Sequence, residues 1–469
     1  MRRTKIIATL GPATDSAEMI GKLIDAGVNI FRMNMSHAPH DWTRRVVKDI
    51  RKAAGTRQRF IGIMMDTQGP AIRTGELGVP LDLQPGQKFT LTVRGERSEE
   101  ERSVDVNYEN FVNDINVGDV VLIDNGAIQM KVLEKHGNKV ECEVLTEGKL
   151  GSRRHINLPG VKVSLPALTA KDISDVRLGL ELLVDFIALS FVREARDLLQ
   201  LKELFGDAKP PPQVVAKIED QQALQNLEGI IRESDAVMVA RGDLGIEVPY
   251  EELPIIQRRI VKMCLQFGKP VIVATHMLES MIESPMPTRA EVTDVANAVF
   301  EQSDAIMLSG ETTVGKYPIK CIEVFDRIAR RIERSGGANY FDSAHLTTPR
   351  QKLVKSAVIM ANELRADAIL VFTRRGHMAR FTGWMRPRYS QIFAICENKD
   401  IAESLSLSWG VGACVIKFDH TTPEQTIELA LRTLVDEGKL KGGSTVVIIS
   451  SISAGEQIVD AVQMRTVNS

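Results

Sequence analysis

Eight short, apolar, β-branched runs recur along this chain with helical patterns between them. They are KIIATLG from Lys5, NIFRMNMS from Asn29, FIGIMMDT from Phe60, DFIALSF from Asp185, QVVAKIE from Gln213, DAVMVARGD from Asp235, PVIVATHM from Pro270 and DAIMLSGE from Asp304. Near-continuous apolar strands alternating with helices call for a parallel sheet covered on both faces. Eight of them predict closure into an α/β fold, a (β/α)8 TIM barrel. The runs end in polar residues: Asn34 and Ser36, Asp66 and Thr67, Lys217 and Glu219, Arg241 and Asp243, Thr275, Ser309 and Glu311. Catalytic groups of such barrels sit at the carboxyl ends of the strands, so the pattern predicts a polar site on one rim.

The spacing breaks between Asp66 and Asp185. Period-two alternation replaces it in Phe89-Leu91-Val93, Ile128-Met130-Val132 and Val140-Cys142-Val144, bracketed by turns at Pro85-Gly86, Asp124-Asn125-Gly126 and His136-Gly137-Asn138. This reads as an inserted β-barrel lid domain over 70–165, hung on the loop after the third barrel strand, where it can close over the rim. The barrel then comprises 1–69 and 166–335. A Gly-, Ser-, Thr- and Pro-rich linker follows from Gly336 to Pro349. Beyond it, AILVFT, QIFAIC, ACVIKF and TVVIIS alternate with amphipathic helices, which predicts a C-terminal doubly wound α/β domain over 350–469.

Charge and cysteine usage narrow the function classes. Lys and Arg number 59 against 61 Asp and Glu, and aromatics are 5%. Neither an electrostatic pull toward nucleic acid nor a base-stacking surface is expected, so any anion site must be a local concentration of basic groups. The five cysteines are dispersed and form no Cys-x-x-Cys pair, which fits reduced thiols in a cytoplasmic protein. The apolar run after Arg2, Arg3 and Lys5 stops at Gly11-Pro12, too short for a secretory core, and no stretch has the length of a membrane helix. No membrane partner is expected.

At the predicted rim, Glu219 and Asp243 end consecutive strands and suit Mg²⁺ or Mn²⁺, hard cations that keep open coordination positions. Each carboxylate could equally cap a helix or pair with a lysine. Lys217 lies two residues before Glu219, so strand alternation aims both toward the barrel axis. Glycines in Ala240-Arg241-Gly242-Asp243-Leu244-Gly245 mark a strand-to-helix turn, which suits a small anion or simply a tight backbone. Arg32, Asn34, Ser36, His37, Asp66, Thr67 and Arg73 gather basic and oxygen-bearing groups at the ends of strands two and three, and arginine's planar fork matches phosphate. His37 could serve as a base or as a hydrogen-bonding scaffold.

Longer motifs then appear in order: TKIIATLGPAT, RMNMSH, MDTQGPAIRTG, INLPG, AKIED, ARGDLGIE, ATHMLESM, PMPTRAEVTDVANAV and IMLSGETTVGKYP. With these the chain resembles the pyruvate kinase family over essentially its whole length. The resemblance implies phosphoryl transfer from phosphoenolpyruvate to ADP, giving pyruvate and ATP in glycolysis. It implies that Arg32 contacts the transferred phosphoryl group and Lys217 stabilises its transition-state charge. Glu219 and Asp243 would hold the divalent metal, and the Gly242 and Asp243 backbone with Thr275 the substrate carboxylate. It further implies a K⁺ site at Asn34, Ser36, Asp66 and Thr67, nucleotide contacts at Arg73, Lys171 and His37, and a homotetramer.

The resemblance has departures. Ala71 stands where the family carries an acidic residue, a position at which glutamate goes with K⁺ dependence and lysine with independence. His276 replaces a common glutamine after Thr275. The family's hydroxyl-rich effector loop reads Thr373-Arg374-Arg375-Gly376-His377-Met378 here. Five arginines (Arg374, Arg375, Arg380, Arg386 and Arg388) suggest an anion-responsive surface there, against a solvated or subunit-contacting basic face. Two other functions compete: a metal-dependent pyruvate-enolate aldolase, which needs no lid, and a non-catalytic metabolite-binding barrel, which should have lost one of Lys217, Glu219 or Asp243.

Overall fold

The eight apolar runs form the strands β1 (Lys5–Thr9), β2 (Ile30–Asn34), β3 (Gly62–Asp66), β4 (Phe186–Leu189), β5 (Gln213–Ile218), β6 (Ala236–Ala240), β7 (Val271–Ala274) and β8 (Ala305–Leu308). In this computed structural model, which describes residues 2–93, 102–419, 421–454 and 457–468, they close into a parallel barrel. Strict alternation divides each strand. Ile6, Phe31, Ile63, Ile187, Val214 and Val237 pack outward with the surrounding helices. Ile7, Ile30, Met64, Ala188, Val215 and Met238 fill the lumen. Continuing the lumen parity one step up each strand reaches Thr9, Arg32, Asp66, Ser190 and Lys217, so the site is the top layer of the barrel's own packing.

After β3 the chain leaves the barrel for a six-stranded curled sheet. Its edge strands are Ser103–Val106 and Ile156–Asn157. Single-residue bridges from Thr74 to Val106 and from Arg73 to His155 tie both edges to one segment and curl the sheet toward closure. Ile128, Met130, Val132, Val140, Cys142 and Val144 are buried in a separate core, as the period-two pattern requires.

The C-terminal sheet runs β9 (Ala368–Phe372), β10 (Gln391–Cys396), β11 (Val411–Val415), β12 (Thr445–Ala454) and β13 (Gln457–Thr466), in the spatial order β11-β10-β9-β12-β13. Four of these strands were expected from the sequence. The fifth, β13, pairs antiparallel with β12 and was not. Helices Pro349–Glu363 and His377–Trp384 cover one face and Pro423–Asp436 the other, the doubly wound arrangement. Thr348 starts the first helix with a capping box to Gln351.

This layer seats against the amino-terminal end of the barrel. A Cβ on Gly62, at the start of β3, would meet Ser406 Oγ at 2.2 Å, so only glycine allows the approach. Leu407 joins the lumen core. Arg386 pairs with Asp304 at 2.9 Å, and Arg51 joins Asp185 of the barrel to Glu403 of the C-terminal layer at 3.1 and 2.8 Å.

Candidate active site

The top layer is a chain of buried charges. Arg32 Nε donates to Asp66 Oδ2 at 2.6 Å and Nη1 to Thr9 Oγ1 at 3.1 Å. Asp66 is fully buried, and its other oxygen lies 3.2 Å from Lys217 Nζ. Lys217 donates to Ser190 Oγ at 2.6 Å and stands 2.8 Å from Glu219 Oε1. Opposite charges pull the groups apart in acidity. Burial alone would raise Asp66, but Arg32 and Lys217 outweigh it and hold the carboxyl below its ordinary value. Burial alone would lower Lys217, but Asp66 and Glu219 outweigh it and keep the ammonium charged. Glu219 answers to burial first: despite Lys217, burial with nearby Asp243 lifts it to about 7.

Glu219 Oε2 accepts the Phe191 N–H at 2.6 Å. Oε1 is buried, and the Lys217 ammonium at 2.8 Å is its polar neighbour, with no further donor among the described residues. A buried oxygen left this way, with the Asp243 carboxylate beside the same cleft, fits a hard divalent cation.

Gly242 and Asp243 begin the short helix Arg241–Glu247 directly after β6. The Gly242 N–H donates to Thr275 Oγ1 at 2.7 Å, and that hydroxyl donates to Ala274 O at 2.6 Å. Thr275 and His276 have φ of 69° and 54°. A β-branched residue at positive φ is an outlier of the kind that clusters at functional sites. The Arg241 guanidinium holds this turn from below, donating to Thr275 O at 2.7 Å and pairing with Asp294 at 2.6 Å.

Above these groups lies a cleft of about 320 Å³ lined by Arg32, Asn34, Ser36, Thr67, Arg73, Lys217, Glu219 and Asp243, with Ala71 at its edge. Asn34 and Asp66 are register partners on β2 and β3, which puts their side chains at one height. Asn34 Oδ1 accepts the Ser36 N–H, and Thr67 Oγ1 accepts the Ser190 N–H. Five expected residues are not in this lining: Asp66 lies buried against Arg32 and Lys217, Gly242 and Thr275 form the turn beside Asp243, and Lys171 and His37 stand apart. Lys171 is tied to Met35 O at 2.7 Å and Asp175 at 2.6 Å, and His37 is exposed.

The cleft also contains residues the sequence reading passed over. Ser190 directly follows β4 and anchors Lys217; its run, FIALSF, carries the same rim signature as the others. From the lid come Arg153, Arg154, His155, Asp124 and Asn125. The basic stretch Arg153-Arg154-His155 was the available signal. Asp124, Asn125 and Gly126, read only as a turn, all take positive φ, and Arg154 pairs with Asp124 at 3.2 Å.

The arginine-rich C-terminal segment divides. Arg374, Arg375 and Arg388 are exposed, whereas Arg386 is buried on Asp304 and Arg380 donates to Ser404 Oγ at 3.3 Å. Arg386 therefore belongs to the contact between barrel and C-terminal layer, not to an anion-binding surface.

Comparison with known proteins agrees with this arrangement. Residues 1–322 match the family model "Pyruvate kinase, barrel domain" and residues 351–462 match "Pyruvate kinase, alpha/beta domain". Plastidial pyruvate kinase 2 of Arabidopsis thaliana is 43% identical over 96% of this chain and 78% of its own length. A pyruvate kinase of Staphylococcus epidermidis is 37% identical over 97% of this chain and 79% of its own. The crystal structure of a pyruvate kinase from Cryptosporidium parvum superposes with a TM-score of 0.94 at 34% identity, covering 99% of this chain and 96% of that one. Barrel, lid, C-terminal layer and charged rim all lead to one assignment: the chain belongs to the pyruvate kinase family.

Proposed function

We propose that this phosphotransferase moves the phosphoryl group of phosphoenolpyruvate to ADP by electrostatic positioning, with Lys217 and Arg32 as the groups that act on the reacting atoms. The observation that carries the reading is the buried array Arg32–Asp66–Lys217–Glu219 beneath a cleft open to the lid. A loose phosphoryl transition state needs positioned positive charge more than covalent chemistry. Arg32 lines the cleft, and its Nη2 makes no hydrogen bond among the described residues, so it is free to meet a phosphoryl oxygen. The ester P–O bond breaks, an oxygen of the ADP β-phosphate takes the phosphorus, and the enolate left behind takes up one proton from solvent at its methylene carbon. Lys217, held charged by two carboxylates, steadies both the transferring group and the enolate oxygen. A substrate carboxylate would replace the Thr275 hydroxyl as acceptor of the Gly242 N–H.

Glu219 and Asp243 would hold Mg²⁺ or Mn²⁺, and Asn34, Ser36, Asp66 and Thr67 would hold K⁺. When bound, these cations add positive charge at the phosphoryl and carboxylate oxygens. Arg73, from the lid connection, is the nucleotide contact best supported by its place in the cleft. Lys171 and His37 would need the nucleotide to reach beyond that lining. The domain division 1–69 with 166–335, 70–165 and 350–469, the homotetramer and the cytoplasmic location belong to the same reading. The five unpaired cysteines support that location, and no helix among the described residues is long and apolar enough to cross a membrane. The testing experiment is a coupled assay of pyruvate formation from phosphoenolpyruvate and ADP, with and without Mg²⁺ and K⁺. An aldolase would instead cleave a carbon–carbon bond and ignore ADP.

A further inference from the structure

A second cleft, of about 350 Å³, adjoins the substrate cleft and is lined by residues of the barrel rim and of the two chain crossings that carry the lid. Ile156, Val161, Val163 and Leu165 give it an apolar wall. Four buried polar side chains share the lining, Asn157, Arg193, Glu219 and Glu247, and the first and last of these meet each other. Asn157, 5% exposed, donates through Nδ2 to Glu247 Oε1 at 2.9 Å, and its own Oδ1 has no hydrogen-bond partner among the described residues. Glu247, 8% exposed, has no ion pair among the described residues.

The charge balance around this pair is one-sided. Burial first, and then Asp220 and Asp243 as like charges, raise the Glu247 carboxyl to about 7 against the donation from Asn157, so it holds its negative charge at neutral pH best with a cation beside it. Arg193, the guanidinium in the lining, spends its Nη1 and Nη2 on Val163 O and Leu165 O. Lys162 is exposed. A buried carboxylate without a cation, beside an amide oxygen without a donor, is short of positively charged N–H groups. Charge-assisted N–H donors are the strongest complement to such acceptors, and an apolar wall favours a ligand with a hydrocarbon body.

We propose that this cleft is a binding site for a small organic cation, an alkyl- or arylammonium or an amidinium. Its N–H groups donate to Glu247 and to Asn157 Oδ1, and its apolar body lies along Ile156, Val161 and Val163. The site adjoins the phosphoryl-transfer cleft, and His155, Phe191 and Glu219 stand in the wall of both. It is also flanked by the lid connections, so its occupant bears on the segment that carries the lid.

The test is calorimetric titration of the full chain with benzamidine, and with neutral benzamide as control. Each is run without substrate and again with saturating phosphoenolpyruvate and Mg²⁺. Binding is read as heat, so a failure here leaves the phosphoryl-transfer reading intact, and loss of pyruvate formation would not bear on this site. The expected result is one benzamidine per chain in both conditions, with benzamide weaker by about tenfold or more. Glu247→Gln keeps the side chain's shape and removes its charge, and should weaken benzamidine by about tenfold or more. Val161→Trp adds bulk to the apolar wall while leaving both acceptors in the sequence, and should abolish binding. No heat up to about 10 mM benzamidine, displacement by phosphoenolpyruvate, or affinity unchanged in both variants would each overturn the proposal.

Discussion

Lys217 Nζ stands 2.8 Å from Glu219 Oε1, and both side chains are buried at the end of the same strand. Two residues apart, they point to one side of β5, and Asp66 meets the lysine from β3 at 3.2 Å. The ammonium thus sits between two carboxylates, one shared with Arg32 and one that lines the substrate cleft with Asp243. That geometry connects the barrel's alternation to a charged lysine in the substrate cleft, and the predictions below follow from it.

Glu219→Gln and Asp243→Asn should each weaken Mn²⁺ binding by about tenfold or more, because each keeps the shape and removes a charge that a hard cation needs. Electron paramagnetic resonance titration of free Mn²⁺ reads this directly. Parental affinity in either variant removes that residue from the metal site.

K⁺ should stimulate turnover. Asn34, Ser36 and Thr67 line one part of the cleft beside Asp66, and Ala71 brings no ammonium to take the ion's place. Full activity in a tetraalkylammonium buffer free of Na⁺ and K⁺ would count against the site.

Arg386→Ala should lower the melting temperature by several degrees. The guanidinium is buried on Asp304, donates to Gln302 O at 2.9 Å, and packs over Trp409. Its loss strands a buried carboxylate, which costs about 3–5 kcal/mol. An unchanged melting curve would count against Arg386 as part of the contact between barrel and C-terminal layer.

The contact at Asp185 should make stability depend on pH. Burial raises this carboxyl from 3.8 to about 7, with Glu403 adding to the rise and Arg51 opposing it. Between those values the folded chain holds a proton that the unfolded chain has released. Its contribution is therefore full below pH about 4 and is lost as pH rises toward about 7. Asp185→Asn should consequently gain on the parent in melting temperature between pH 5 and pH 8. A constant difference across that range would show the carboxyl titrating normally.

Much of this could be read in the sequence because barrel strands obey a period of two. Val215, Lys217 and Glu219 announce their common side, and the polar ends of the runs mark the rim. What could not be read depends on which distant residue fills a given space. Asp66 serves both Arg32 and Lys217, a pairing set by strand register and not by local pattern. Arg386 and Arg374 look alike in the chain, yet Asp304 waits beneath one and solvent covers the other. Strand β13 escaped notice because Asp460 and Gln463 interrupt its alternation, and its place is secured by pairing with β12. Asn157 and Glu247 showed no motif at all; they meet only because the lid's return crossing lands beside the helix after β6.

The central claim is that charge at Lys217 acts on the transition state. Its most direct test is Lys217→Met assayed for pyruvate formation, with phosphoenolpyruvate affinity measured separately by titration. Removing the ammonium also leaves Asp66 and Glu219 unpaired, so a lower melting temperature should accompany the change. The account predicts a kcat lower by about 100-fold or more, equivalent to about 2.7 kcal/mol, with substrate affinity altered only severalfold in folded protein. Turnover near the parent's would contradict it.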